Sequence, residues 1–372
     1  MKGIKVGIIT PYFYPHFGGV STHVYQKYRI LKNQGIDVKI ISPDFGECEL
    51  ISTQDHIKLG KPIKIVYNGS LSHITLAFGA KEILRKEKFD IVHLHEPYHP
   101  FCIPFVSDDT GYRYLSTFHV FKEEVEKMIL IISDTILKSI KSRIRNFIAV
   151  SNSASQMLQK TLGIAKEKIR IIPNGIDYKI FSEAKPLEIF NDDEFKILYV
   201  GRLEPRKGVK HLIRAFRTVK KIIPRSRLII VGDGFKTYYM SFLTDEIEKD
   251  VLFLGKVGYE ELPRIYKSSD VCVFPSTRGE SFGIVLLEAM AAGKPVIAGN
   301  AEGYVETLQN GRYGIIVNPQ DEDALARAIV EMYYREDLRK ELSEKGKEYA
   351  QQFDWQKIIG KIIDLYESTL TS

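Results

Sequence analysis

The sequence lacks most of the features that would fix a setting or a cofactor at a glance. It holds only three cysteines, Cys48, Cys102 and Cys272, widely spaced and with no Cys-x-x-Cys pair. Such a trio gives neither a disulfide framework nor a zinc knuckle, and it suits a reducing compartment. No apolar run approaches the roughly twenty residues that a membrane-spanning helix needs. The opening Met-Lys-Gly-Ile-Lys-Val-Gly-Ile-Ile-Thr has too short an apolar stretch for a secretory signal. The expectation is a cytoplasmic protein, able to lie peripherally on the cytoplasmic membrane face but not to cross it. The dinucleotide pattern Gly-x-Gly-x-x-Gly and the P-loop Gly-x-x-x-x-Gly-Lys-Ser/Thr are also missing, which argues against a simple NAD enzyme or NTPase.

What is present fits two α/β domains. The chain has 372 residues, 44% apolar and 27% charged, in the range of folded soluble proteins and too long for one ordinary core. Its net charge of +6 favours anionic partners such as phosphates, nucleotides or an anionic lipid surface, although a solvated lysine-rich surface gives the same sum. A nucleic-acid partner is not expected.

Short Ile- and Val-rich runs alternate with amphipathic stretches, the pattern of βαβ units around parallel sheets. Strands are expected near 4–10, 37–42, 91–94, 113–116 and 147–150, with helices near 20–34, 75–86, 123–142 and 153–162. Around Ile169–Ile176 a strand is cut by Pro173 and followed by the turn pair Asn174-Gly175. A polar stretch over 182–194 reads as a linker. A second series starts at 196–200 and continues through 227–231, 251–254, 271–274 and 295–298. The final amphipathic helix, 356–370, carries Ile358, Ile359, Ile362, Ile363 and Leu365 on one side and needs a partner for them. The domains are therefore 1–175, 176–354 and a terminal helix over 355–372.

Four constellations carry chemistry. Gly18-Gly19-Val20, after a strand and before a helix, lets backbone N–H groups approach a phosphate or sugar, or makes a tight turn. Gly201-Arg202-Leu203-Glu204-Pro205-Arg206-Lys207-Gly208 also follows a strand, where open α/β sheets bind ligands. A guanidinium there forks onto phosphate oxygens and an ammonium adds a compact charge. In Gly279-Glu280-Ser281-Phe282-Gly283, Ser281 is a candidate N-cap and Gly293 a helix end. Glu280 then sits at the helix mouth, and Glu288 two turns in, among apolar neighbours. A carboxylate so placed needs a partner, such as a ribose diol or a structural Arg or Lys. Finally, His93 and His95 share a strand face, but no third and fourth ligand stands at a telling spacing for zinc. His119 ends another strand, in position for a substrate, a core role or a cap.

Together these segments resemble family 4 of the retaining glycosyltransferases, which have the GT-B fold. Glu280 and Glu288 match its Glu-x7-Glu pair and Gly18-Gly19 its N-terminal glycine loop. The likeness covers nearly the whole chain and is greatest to the bacterial phosphatidylinositol mannosyltransferases. It is carried by Pro-Tyr at Pro11, Gly-Gly-Val-Ser-Thr-His-Val at 18–24, Tyr-Asn-Gly-Ser at 67–70, His-Leu-His-Glu-Pro at 93–97 and Gly-Glu-Ser-Phe-Gly-Ile-Val-Leu at 279–286.

The resemblance implies two facing Rossmann-like domains with a cleft between them, the last helix crossing back to the first. It implies that Arg202 and Lys207 hold the donor diphosphate, that Glu288 holds the ribose, and that Glu280 meets sugar hydroxyls beside the amides of Ser281, Phe282 and Gly283. Gly18 and Gly19 join the donor side, Lys256 and Val257 the base, and His119 the sugar and acceptor. Tyr12, Thr22 and Asn68 are acceptor-side candidates. His119, Arg202, Lys207 and Glu280 are the expected catalytic set. No tightly bound cofactor and no protein metal site are expected, and a divalent metal is left open.

The resemblance further implies a hexose, mannose from GDP-mannose, moved with retention onto a lipid or glycan, an inositol phospholipid foremost. The chain departs from the mannosyltransferases after His119, where Val120-Phe121-Lys122-Glu123-Glu124 lacks small hydroxyl residues, and at His73, where a basic acceptor contact is expected. Other readings are a UDP-sugar-dependent transferase acting on a soluble sugar, a sugar-nucleotide epimerase, and a glycoside hydrolase using the two glutamates. The cationic loop has no use in the last. Basic residues with apolar neighbours over 81–88 and 128–144 suggest docking on anionic lipid.

Overall fold

The structure, a computed structural model, describes residues 3–16, 18–67, 70–106, 111–119 and 134–371; at 65–67, 70–72 and 134 only the backbone is described. Among these residues the strands run β1 Lys5–Ile9, β2 Asp37–Ser42, β3 His56–Lys58, β4 Ile63–Tyr67, β5 Ser70–Ile74, β6 Ile91–His95, β7 Arg113–Phe118, β8 Ile144–Ala149 and β9 Ile169–Ile171. The second half supplies β10 Phe195–Val200, β11 Ser226–Val231, β12 Val251–Gly255, β13 Val271–Phe274, β14 Val296–Gly299 and β15 Ile315–Val317. Most of these strands are β-branched and buried on both faces, so they pair in parallel beneath helices rather than alternate between core and water.

Two parallel sheets result. One has the order β3-β2-β1-β6-β7-β8-β9 and the other β12-β11-β10-β13-β14-β15. Renumbered within its own half, each begins 3-2-1-4-5-6, the doubly wound nucleotide-binding order. The chain divides into two compact units, the first holding residues up to Gly175 and from Trp355 onward, the second Ile176–Asp354.

The terminal helix, Trp355–Thr371, belongs to the first unit. Trp355, Ile358, Ile359, Ile362, Leu365 and Tyr366 join the core of Val6, Ile8, Val24, Leu31 and Ile40. Gly175 explains how the helix starts there. A Cβ at that position would lie 2.4 Å from the Trp355 indole, closer than any side chain tolerates.

Three expectations need correction. The helix expected over 75–86 begins only at Ala80, because 63–67 and 70–74 pair as a two-stranded sheet. The Asn68-Gly69 text between them is a hairpin signal that the motif reading passed over. The stretch over 182–194 is no loose linker: helix Tyr178–Glu183 and a 3-10 turn at Glu188–Phe190 bury Phe181 and Phe190. Of the helix expected over 123–142, only Asp134–Arg143 lies within the described residues. There Leu137 and Ile140 are buried, so its apolar side is core and not a lipid-facing surface.

Replacing the indole tests how the terminal helix is held. Trp355→Ala should cost about 3–5 kcal/mol, the range for an aromatic side chain deleted from a core. A urea titration following the first unit gives the number. A loss below about 1 kcal/mol would mean that the isoleucines alone dock the helix.

Candidate functional site

In each sheet the strand order reverses beside the unit's first strand, so crevices open past the carboxyl ends of β1 and β6 and of β10 and β13. The two glycine-bounded loops follow β1 and β10, Glu280 follows β13, and His95 ends β6; Glu288 lies in the helix beyond, and His119 follows the neighbouring β7.

In the second unit, the loop after β10 is pinned to the segment after β13. Gly208 has φ +73°, and a Cβ there would stand 1.9 Å from the Pro275 carbonyl oxygen, so only glycine fits. The Thr277 amide donates to the Arg206 carbonyl at 2.8 Å. Across this junction runs a chain of alternating charges. Arg202 Nη1 lies 2.6 Å from Glu204 Oε1, and Arg206 Nε lies 2.9 Å from Glu204 Oε2. Arg206 Nη1 donates to the Gly279 carbonyl at 2.8 Å and lies 3.3 Å from Glu280 Oε1. Lys207 Nζ reaches that same oxygen at 2.5 Å, and Ser276 Oγ donates to it at 2.8 Å.

Burial alone would raise the Glu280 carboxyl, but Lys207 and Arg206 hold it below its ordinary value. Burial likewise lowers the Lys207 ammonium, and Glu280 partly restores it. Three cations face two carboxylates, leaving one positive charge in excess. Of the five side chains Arg202 is the most exposed, at 48%, and so the readiest to meet a diphosphate. The sequence reading gave no role to Glu204 or Arg206, although both stand inside the motif it quoted. Their spacing says nothing of a partner that lies 74 residues on.

Glu288 sits in helix Ile284–Ala291, which starts later than the sequence suggested. The N-cap is Gly283, at φ +104°, and not Ser281. A Cβ at Gly283 would come within 2.7 Å of the Tyr304 ring, so close packing sets the helix start and not a hydroxyl cap. Glu288 is therefore one turn in, not two. Its partner is neither Arg nor Lys: the Tyr266 hydroxyl donates to Oε2 at 3.0 Å. Burial pushes the carboxyl up to about 7, against the lowering effect of that hydrogen bond. Gly293, at φ +70°, ends the helix as expected. Ser281 is half-buried, and Phe282 is buried with its ring 5.8 Å from Phe353. Lys256, exposed, and Val257 follow directly on β12.

The first unit gathers the other candidates. Gly18 caps helix Gly19–Asn33 in an extended conformation, and a Cβ added there would meet no atom of the other described residues within 4 Å. Thr22 Oγ1 lies 3.1 Å from the Tyr14 hydroxyl, and the Tyr12 ring packs against His16 and His99. Asn68 lies outside the described residues, as do Val120–Glu124. His73 is half-buried between His16 and Phe45, and burial keeps its pKa below the ordinary value.

His119 Nε2 lies 2.9 Å from His95 Nδ1, and the His119 amide donates to Glu96 Oε1 at 2.6 Å. Behind them Lys27 Nζ is 2.5 Å from His95 Nε2 and 3.3 Å from His93 Nδ1. His93 also meets the Tyr366 hydroxyl and Thr117 Oγ1. Lys27, a fully buried lysine, was missed. The available signal was its place four residues after His23 on the buried side of one helix.

The model for glycosyl transferases group 1 matches residues 181–349 and that for glycosyltransferase family 4 matches 17–179. Among solved structures, a sucrose-phosphate synthase from Thermosynechococcus elongatus superimposes with a TM-score of 0.78, at 24% identity and 99% of each chain. The Anabaena protein HepE, solved with UDP-glucose, gives 0.76 at 20% identity, covering 98% of this chain and all of that one. A phosphatidyl-myo-inositol mannosyltransferase of Mycobacterium leprae is 30% identical over 374 residues, 99% of this chain and 98% of its own. An uncharacterized glycosyltransferase of Methanocaldococcus jannaschii is 27% identical over 95% and 96%. Two doubly wound sheets of this order, matched over the whole chain, give the GT-B fold, and the family models and the 30% identical relative make the chain a glycosyltransferase. Within that class the chain belongs to glycosyltransferase family 4.

Glu288 makes stability depend on pH. Its folded pKa is raised, so its contribution is fully present below the unfolded carboxyl value near 4.5 and is lost as pH rises through about 7. Glu288→Gln removes this dependence. Relative to the native chain it should gain about 3 kcal/mol between pH 4.5 and 7 and stay level above that. Urea midpoints at stepped pH read the difference, and a pH-independent offset would mean that the carboxyl is ionised throughout.

Proposed function

We propose that the enzyme is a retaining mannosyltransferase that takes mannose from GDP-mannose and places it on an inositol phospholipid at an anionic membrane surface. The observation that carries the donor half is the charge chain from Arg202 to Lys207 and Glu280 at the switch point. Arg202 is neutralised by Glu204 and Lys207 by Glu280. A diphosphate draws on the excess positive charge, and its oxygens replace Glu204 at the exposed guanidinium. As the glycosidic bond lengthens, negative charge grows on the departing phosphate. Arg202 and Lys207 stabilise it there, in a partly buried setting where charge interactions count for more than in water. Glu280, kept ionised by its cations, accepts hydrogen bonds from sugar hydroxyls, and Glu288 accepts them from the ribose. Lys256 and Val257 border the base. The acceptor oxygen attacks from the face the phosphate leaves, and that phosphate takes its proton, which gives retention. His119, Tyr12 and Thr22 serve the sugar and acceptor.

The choice of mannose and of an inositol lipid rests on kinship to relatives named for that reaction. A surface feature supports the lipid. Ile63, Leu76 and Phe78 are exposed at 67%, 52% and 78%, just ahead of helix Ala80–Glu87 with its exposed Lys81, Arg85 and Lys86. Apolar side chains beside cations suit an anionic bilayer, where each cation contributes about 1 kcal/mol.

Arg202→Ala and Lys207→Ala should each lose on the order of 10²–10³ in turnover with the fold retained. Near-native turnover in both would remove the diphosphate role. For the substrates, GDP-mannose should raise the melting temperature where UDP sugars do not. The chain should also sediment with phosphatidylinositol vesicles at low salt, but not with neutral ones, and transfer radiolabelled mannose to them. Stabilisation by UDP sugars alone would overturn the donor, and equal sedimentation with both vesicles the lipid acceptor.

A further inference from the structure

The histidine cluster of the first unit is more than the transfer reaction asks for. One ring nitrogen from each of His23, His95 and His119 lies within 4.8 Å of the other two. His23 comes from helix Gly19–Asn33, His95 from the end of β6 and His119 from the residue after β7. Three elements thus converge on one point, which no sequence spacing could disclose. His23 is 4% exposed and His95 fully buried, and His23 Nδ1 has no hydrogen-bond partner among the described residues.

His95 Nδ1 lies 2.9 Å from His119 Nε2, and on the other side of the same ring Lys27 Nζ stands 2.5 Å from Nε2. The His95 nitrogen turned toward the cluster is thus Nδ1, and the opposite nitrogen is held from behind.

We propose that His23, His95 and His119 form a three-histidine site for a borderline divalent transition ion, zinc or cobalt(II), that is distinct from the donor site. Three neutral imidazoles with a fourth position left to water or a hydroxyl suit these ions, whereas magnesium and calcium call for oxygen ligands. Nitrogens about 2.0–2.1 Å from the metal stand about 3.3 Å apart in a tetrahedron. The His95–His119 pair therefore opens by about 0.4 Å on binding. Lys27 stands behind His95, where the partners of metal-bound histidines stand. The ion occupies the ring of His119, so it inhibits transfer. That last consequence rests on the role given to His119 above, while the site itself does not.

Cobalt(II) titrated into the full-length chain without donor or acceptor tests the site. One equivalent should bind, with the strong visible absorption of four-coordinate cobalt, and zinc should bleach it. His23→Gln and His95→Gln should weaken binding tenfold or more, whereas His211→Gln, in the second unit, should not. Transfer should fall as the absorption rises and return with a chelator. No absorbing one-to-one complex in the native chain, or binding indifferent to both histidine substitutions, overturns the site. This readout needs no substrate, so an error in the donor or acceptor leaves it intact. A filled site with undiminished transfer overturns the inhibition.

Discussion

Glu280 is buried beside Arg206, Lys207 and Ser276, and the second unit's site depends on that arrangement. A carboxylate taken out of water with no partner would neutralise or force the loop open. Here two cations and a hydroxyl meet it, and in meeting it they join the loop after β10 to the loop after β13. Arg206 does most of this joining, because its guanidinium holds Glu204, Glu280 and the Gly279 carbonyl together. Arg202, tethered at one end of the chain of charges, is its most exposed member. The cluster is thus held in place by charges that compensate one another.

The first unit solves the same topological problem with the opposite electrostatics. At its switch point stand histidines and a lysine whose proton affinities burial lowers. They are linked by short hydrogen bonds reaching from His119 back to Tyr366 of the terminal helix. Two sheets of like order thus differ at their switch points in side chains and not in fold, one holding a hydrogen-bonded histidine cluster and the other an ionic one. Glu288 shows the same principle within one unit: apolar neighbours and a single tyrosine hydroxyl give it a proton affinity quite unlike that of Glu280, eight residues earlier.

The parallel sheets were legible because each strand is a short β-branched run between amphipathic stretches. That pattern is local and survives without knowledge of the fold. The loops that carry Arg202, Lys207 and Glu280 were legible for the same reason, as glycine-flanked polar text directly after a strand. The hairpin of β4 and β5 was missed because its Asn-Gly signal sat beside text that also reads as a helix start. The N-cap was misplaced because Ser281 has the right chemistry, while packing of Gly283 against Tyr304 decided the matter.

The sequence by itself determined the two series of alternating strands and helices, the glycine-bounded loops and the residues with phosphate-binding chemistry, since all of these follow from periodicity and residue type within a few positions. Only the tertiary structure decided who pairs with whom. Arg206 and Glu280 are 74 residues apart, His23 and His95 are 72 apart, and Tyr366 reaches His93 across most of the chain. Such partners meet because parallel strands carry distant segments to the same sheet edge. Burial there, unlike residue type, sets which groups stay charged.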